Sequence, residues 1–245
     1  MINLETYKKP NILLTTDNAK TIKGIPFGYT TLILYLSPAS QNKMGKNLCA
    51  KSSEGCRAAC LFTAGKGKFT NVATARLNRT EFFLKNKKNF MLQIAIEIGM
   101  AIDKYPYEKL CVRLNGTSDI PFENIPVLGK KNIMELYPEI QFYDYTKVFT
   151  RLTNKMPNNY HLTFSRSETA INHAECKLAL KLGYNVAAVF NIHDAAELPA
   201  TYWGYPVINA DENDLRFLDK RNCISGLKAK GEAKKDTSNF VITEF

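Results

Sequence analysis

The stretch TLILYL at residues 31–36, followed at once by Ser37-Pro38 and then by Cys49, Cys56 and Cys60, decides how this chain is read. Six residues rich in apolar and β-branched side chains are too few for a helix and read as a buried strand, which the Ser-Pro pair ends. The segment behind it carries Gly45, Lys46, Lys51, Gly55 and Arg57, flexible and basic, with its three thiols separated by six and three residues. A thiolate near neutral pH needs a metal or a cation to hold its charge, so basic neighbours are expected to lower the thiol pKa. The spacing is not the paired close spacing of zinc fingers. Two metal readings stay open. One is an iron–sulfur cluster on Cys49, Cys56 and Cys60, which leaves one iron without a protein thiolate. The other is a structural zinc completed by His161, His173, His193 or a distant cysteine such as Cys223. A disulfide is the third option.

Working outward, the chain of 245 residues with 45% hydrophobic content is long enough for a substantial core and too apolar for disorder. No apolar stretch reaches the length of a membrane span, and the first residues, MINLETYKKP, lack a signal-peptide core. Six cysteines without an export signal predict a reducing compartment, the cytoplasm, where metal binding outranks disulfides. The formal net charge of +10 predicts an anionic partner, a nucleotide, nucleic acid or phosphate-bearing substrate, and no membrane. Lysine richness as a plain solubility device is the alternative.

Apolar residues at helical spacing predict a helix over 70–85 with Val72, Ala75, Leu77, Phe82 and Phe83 inward, and a second over 89–105 with Phe90, Ile94, Ile98 and Ala101 inward and Asn89 as its cap. Strands are expected at 109–114, 141–145, 160–164, 184–190, 205–208 and 223–227, with a helix ending at Leu182 that buries Ile171, Ala174, Leu178 and Leu182. Strands alternating with helices predict a single α/β domain with a parallel sheet, a partial (β/α) barrel of about six strands, followed by a basic C-terminal tail at 228–245.

Nearly every expected strand ends in polar residues. Parallel α/β sheets bind ligands beyond the carboxyl ends of their strands, so these residues are the site candidates. Binding candidates are Ser37, Asn115, Ser118, Asp144, Ser165, Arg166 and Asn191; catalytic candidates are Asp119 and His193. Asp119 suits a ribose hydroxyl or an amine, with capping of the next turn as its alternative. Asp144 and Tyr145 alternate along a strand and face opposite ways. Arg166 suits a phosphate or carboxylate, while Ser167 reads as a helix cap. His193, among polar residues at a strand end, suits acid–base work. Asp211 and Asp214 are general bases or ordinary turn residues. Lys228, Lys230, Lys234 and Lys235 suit phosphate contacts, but no phosphate-loop or helix-turn-helix pattern accompanies them. Cys111 and Cys176 read as buried inert thiols.

A first barrel strand followed by a three-cysteine loop resembles the layout of radical S-adenosylmethionine enzymes, whose usual spacing is three and two residues. That resemblance implies a [4Fe–4S] cluster whose open iron chelates S-adenosylmethionine, with Asn115, Asp119, Ser165, Arg166 and Asn191 holding nucleoside and substrate. The segments LYLSPAS (34–40), LCAKSSEGCRAACLFTAGKG (48–67), RLNGTSDIPFE (113–123), FYDYTK (142–147), HLTFSRSE (161–168) and GLKAKGEAKKD (226–236) are similar to the bacteriophage gene-product-eighty-eight type family. This second resemblance implies a phage or prophage origin and brings no activity with it.

Overall fold

Thr31, Leu32, Ile33 and Leu34 are all buried, although successive side chains in a strand point to opposite faces of a sheet. A strand buried on both faces belongs inside a covered parallel sheet, and that is where this one lies. The computed structural model describes residues 9–18, 20–60 and 64–245. In chain order, β1 (Leu14–Thr15) precedes β2 (Thr30–Leu34), the strand of the TLILYL run, and α1 (Glu54–Ala58) sits in the cysteine loop. Next come α2 (Thr70–Lys85), α3 (Lys87–Lys104), β3 (Leu110–Arg113), α4 (Ile133–Leu136), β4 (Gln141–Thr146), α5 (Thr150–Thr153), β5 (Tyr160–Ser165), α6 (Ala170–Lys181) and β6 (Val186–Phe190). The chain closes with β7 (Thr201–Tyr202), β8 (Tyr205–Asn209), β9 (Ile224–Lys228) and β10 (Val241–Ile242).

The strand order is β1-β2-β3-β4-β5-β6-β9-β8-β7, with β10 added to β6. Pairings from β2 through β6 to β9 and β8 are parallel; β1 on β2 and β7 on β8 are antiparallel. The alternation of strands and helices therefore holds, in a sheet that is larger than the expected partial barrel of about six strands and is not a closed barrel. Among the described residues it has ten strands, with β1 and β7 at its edges. The additions escaped the sequence reading because β1, β7 and β10 are two residues each, too short to show a period. The β7–β8 hairpin turns through Trp203 and Gly204, at φ 55° and 79°, the left-handed pair that matches strand twist.

One face of the sheet, with Leu32, Leu34, Val112, Phe142, Leu162 and Val186, packs on Phe82, Phe90, Ile94, Ile98, Ala179 and Leu180 from the helices. On the opposite face Cys111 and Tyr143 lie under Leu215, flanked by Tyr29 and Phe217. α3 buries Phe90, Ile94, Ile98 and Ala101 as its spacing predicts, though Asn86, not Asn89, caps it: the Asn86 side chain accepts the Asn89 N–H. Two helices present other faces than expected. α2 buries Arg76, Thr80 and Glu81 along with Phe82 and Phe83, because its middle lies over the end of β2, where Thr80 Oγ1 accepts the Ser37 N–H at 2.8 Å. α6 leaves Ile171, Leu178 and Leu182 exposed and buries Asn172, Cys176, Ala179 and Leu180. Thr169 caps it, and Asn172 accepts from Ser167 N and donates to Ser165 O, a hold on β5 that fixes which face turns inward.

A buried polar network ties β3, β4 and β5 together. Asp144 accepts from Asn115 N at 2.7 Å, Asn115 Nδ2 at 3.1 Å and the Tyr160 hydroxyl at 2.8 Å. Arg151 donates to Tyr160 Oη, to both Glu123 carboxylate oxygens and to Asp119 Oδ1 at 2.7 Å. Burial lifts Asp144 to about 6 against the pull of Arg113 and the Asn115 N–H, so it is ionised at neutral pH. Removing one partner from a buried ionic network strands the others. Arg151→Met is expected to lose about 3–5 kcal/mol in urea unfolding at pH 7; a loss below about 1 kcal/mol would show that the network does not bear on stability.

Candidate functional site

The turn after β3 carries the cysteine loop. Asn115 is held by Asp144, and its Oδ1 accepts from the Ser118 hydroxyl and from Ile120 N, which shapes the Asn115–Asp119 turn. Asp119 N then donates to Leu48 O at 2.8 Å, Cys49 and Asp119 form an isolated parallel bridge, and the Cys49 thiol donates to Thr117 O. The loop's other anchor lies just after β5. Glu168 accepts from Gly55 N at 2.8 Å and from the Ser53 hydroxyl at 2.6 Å, while Ser53 Oγ caps α1 by accepting from Cys56 N. Gly55 has no room for a side chain, since a Cβ there would run into Ser238 and Glu168. The loop thus spans the carboxyl ends of β2, β3 and β5.

Within it, Cys49, Cys56 and Cys60 are each partly buried. Burial pushes the Cys49 thiol up to about 11, Ala39 N donates to its sulfur at 3.3 Å, and the charges that Cys60 and Cys56 would carry raise it further. Basic neighbours therefore do not lower Cys49: Lys46, Lys51 and Arg57 are exposed, and Arg57 donates to Ser52 O. Ala39 holds φ 47°, a left-handed conformation that costs a non-glycine residue about 1–2 kcal/mol. Among the described residues, no three His, Cys, Asp or Glu side chains are grouped so that they could hold a metal ion.

The remaining thiols and the histidines lie elsewhere. Cys111 and Cys176 are fully buried, each pushed up to about 12 by burial. Cys223 precedes β9 at the amino end of the sheet, bonded to Lys220 O, across the molecule from the loop. His161 faces Thr163 on β5, His173 packs on Trp203, and His193 is exposed beyond β6, its backbone N–H donated to Glu197.

Of the strand-end candidates, Asn115, Ser118, Asp119 and Asp144 come together, chiefly with one another and with Arg151, Thr146 Oγ1 and Lys147 N. Ser165 accepts from Lys147 Nζ, and Arg166 donates to the carbonyls of Asn239 and Phe240. Ser37 is buried against Thr80, and Asn191 is exposed with its N–H on Ile242 O. Asp144 and Tyr145 do face opposite ways: Asp144 meets Tyr160, whereas the Tyr145 ring lies under the Arg113 guanidinium at 4.7 Å.

On Tyr145's side of the sheet, a set of groups drew little notice from the sequence. Arg113 Nη1 meets Asp214 at 2.6 Å, with Lys20 at 3.6 Å from the same carboxylate. Burial works against the Arg113 charge and Asp214 more than offsets it, leaving Arg113 above the ordinary arginine value. Lys20 is lowered to about 8, by burial first and then by Arg113. Arg76 lies over the Tyr35 ring at 5.1 Å. Lys230 pairs with Asp211, and the segment expected as a tail forms a 3-10 turn at Gly231–Lys235 before β10. The signal that marks Arg76 is its position: a charge where the helix periodicity of α2 calls for an inward residue.

The family model described as gene product 88 matches residues 11–244. Compared with curated proteins and with solved structures, the chain finds no match in either. The likeness to radical S-adenosylmethionine enzymes gains no support from these comparisons. No helix among the described residues is long and apolar enough to cross a membrane.

Burial works against the ionisation of Glu168, but the Ser53 hydroxyl and the Gly55 N–H outweigh it and hold the carboxyl below the ordinary 4.5. A lowered carboxyl stabilises the folded state above the ordinary value and loses that contribution as the pH falls beneath it. Amide exchange at Gly55 and Cys56 is therefore expected to rise as the pH drops below about 4.5, corrected for intrinsic rates. Glu168→Ala should show the raised exchange at neutral pH with the β5 amides unchanged; unchanged protection at Gly55 would mean that Glu168 does not hold the loop.

Proposed function

This chain belongs to the gene product 88 family, and we propose that it is a phage-encoded iron–sulfur protein of the bacterial cytoplasm, with a [4Fe–4S] cluster on Cys49, Cys56 and Cys60 and a phosphate-bearing substrate at the strand ends. The observation that carries this reading is the loop itself: three thiols, Cys49 within electrostatic reach of the other two, pinned by Asp119 and Glu168 over the carboxyl ends of β2, β3 and β5. Thiolates of a cluster bind different irons and stand further apart than the ligands of one ion. Cys49 feels the charge that Cys56 and Cys60 would carry, which keeps both within its electrostatic reach. A closed zinc site would need a fourth ligand, and Cys223 lies at the opposite end of the sheet from the loop. The Ala39 N–H on the Cys49 sulfur is the kind of contact that tunes a cluster.

When bound, a cluster with one iron free of protein thiolate supplies electrons to a ligand on that iron. S-adenosylmethionine is the cofactor such a layout resembles, so its reductive cleavage is the first activity to assay. The protein's own part is to seat the loop, to exclude water by burying Cys49 and to give up the Cys49 proton. With its pKa near 11, that thiol releases a proton whenever a metal binds, so loading is favoured by rising pH throughout the neutral range.

Purified without oxygen, the protein should hold near-stoichiometric iron and sulfide, with a broad visible absorption that reductant bleaches. Cys49→Ala, Cys56→Ala and Cys60→Ala should each lose it. Zinc alone, no metal, or full iron content in all three variants would sink the reading. Salt-sensitive, sequence-indifferent nucleic-acid binding without turnover would then become the better account of the +10 charge.

A further inference from the structure

A buried charge ordinarily has a partner, because leaving it unpaired costs several kcal/mol. Arg76 breaks that rule. Only 9% of it is exposed, and its Nε is buried without a hydrogen bond. Among the described residues it has no ion pair, and its guanidinium lies over the face of Tyr35. An aromatic face offsets part of the lost hydration and gives the guanidinium N–H groups nothing to donate to.

Tyr35 is itself held in place. A Cβ on Gly116 would stand 2.7 Å from the Tyr35 ring and 2.6 Å from Leu34 O, so the Asn115–Asp119 turn packs flush on one side of the ring while Arg76 occupies a face. The Tyr35 hydroxyl donates to Asn18, the residue whose side chain also accepts the Lys20 N–H. Arg113, Asp214 and Arg76 all act on the Tyr35 hydroxyl electrostatically. Arg113 also has a buried Nε without a hydrogen bond; Asp144 approaches it only to 3.9 Å. Arg76 thus lies on Tyr35 with Arg113 within electrostatic reach of its hydroxyl, and Lys20 stands one carboxylate further, on the Asp214 that Arg113 also holds.

We propose that Arg76 on Tyr35, with Arg113 and the Asp214-bound Lys20 beyond it, forms a binding site for a phosphate group of a small-molecule ligand. Phosphate suits the site better than a single carboxylate, since its three acceptor oxygens and charge near −2 can serve a guanidinium and a second cation together. The position, beyond the carboxyl ends of β2 and β3, is where parallel α/β sheets hold their ligands. The inference deepens the proposed function by giving its substrate a phosphate and a place, and it rests on that reading only for the identity of the site's second half, the cysteine loop. Arg76 lies within electrostatic reach of Cys60, so the rival role for Arg76 is to balance thiolate charge.

The test is thermal unfolding with inorganic pyrophosphate as the probe and acetate as the carboxylate control. It is run on the whole chain and on a variant with Cys49, Cys56 and Cys60 changed to serine. Should that variant not fold, wild-type protein stripped of iron by a chelator replaces it. Pyrophosphate should raise the unfolding temperature of both proteins. Arg76→Met and Lys20→Met should each weaken its binding at least about tenfold, the scale of a lost charge-assisted hydrogen bond. Without probe, Arg76→Met should melt above the wild type, because a buried unpaired charge has been removed. Several results would overturn the proposal: no stabilisation by pyrophosphate, equal stabilisation by acetate, or wild-type affinity in both variants. An Arg76→Met protein that alters only iron content would assign Arg76 to the thiolates instead. Failure of the cluster with pyrophosphate binding intact would remove the iron–sulfur reading and leave the phosphate site standing.

Discussion

Asp144 is a carboxylate at zero exposure, ionised at neutral pH, and much of the functional end of the molecule hangs from it. A charge in such a place must collect donors, and it does so from three directions: the Asn115 amide and side chain after β3, the Tyr160 hydroxyl on β5, and more distantly Arg113 and Arg151. Fixing Asn115 fixes the turn that follows it. That turn presents Asp119 to Leu48 and Thr117 to Cys49, so the position of the first thiol traces back to a buried carboxylate two strands away. The cysteine loop is seated by polar contacts on the β3 turn and on Glu168, and by apolar ones, with Leu48 in the main core and Cys56 and Ala59 against Ala229, Ala233, Phe240 and Val241.

That dependence explains which parts could be read from the sequence. Long elements with a plain apolar period were legible: α3 shows Phe90, Ile94 and Ile98 every four residues, and all three are fully buried. Strands β2 to β6, β8 and β9 announced themselves through short apolar runs ending in polar residues, and the cysteine loop stood out by its composition. α2 and α6 were legible as helices but not in their facing, because each turns a polar stripe inward to hold strand ends. Hydrophobic periodicity finds the face that meets a core; it is blind to a face that meets a site. Arg76 and Thr80 on α2, and Asn172 on α6, lie on those stripes.

The same limit applies to the candidates. Asn115, Ser118, Asp119 and Asp144 were chosen because polar residues at a strand end suggest a ligand, and they do converge. Their hydrogen-bonding capacity is spent largely within the protein. The groups with capacity to spare, Arg76 and Arg113, sit one turn deeper, beside aromatic rings that conceal them from a reading by polarity alone. What distinguishes a structural polar cluster from a binding one is the balance of donors and acceptors, and that balance is a property of three-dimensional neighbours.

β10 adds a matter of timing. β5 pairs only with Val186 and Ala187 of β6, and β10 takes over at Val189 and Phe190, entering the sheet where β5 turns away. Arg166 and Asn191 both bond to the backbone of this late segment, so one wall of the strand-end site consists of residues near 240. The thiols at 49–60 leave the ribosome long before that wall exists. Closing contacts so far apart in sequence is slow, and until it happens the cysteine loop stays open to whatever metal or oxidant the surroundings hold. The nascent chain therefore has an interval in which its thiols are accessible and its site is unfinished, and the closing of the sheet by β10 ends it.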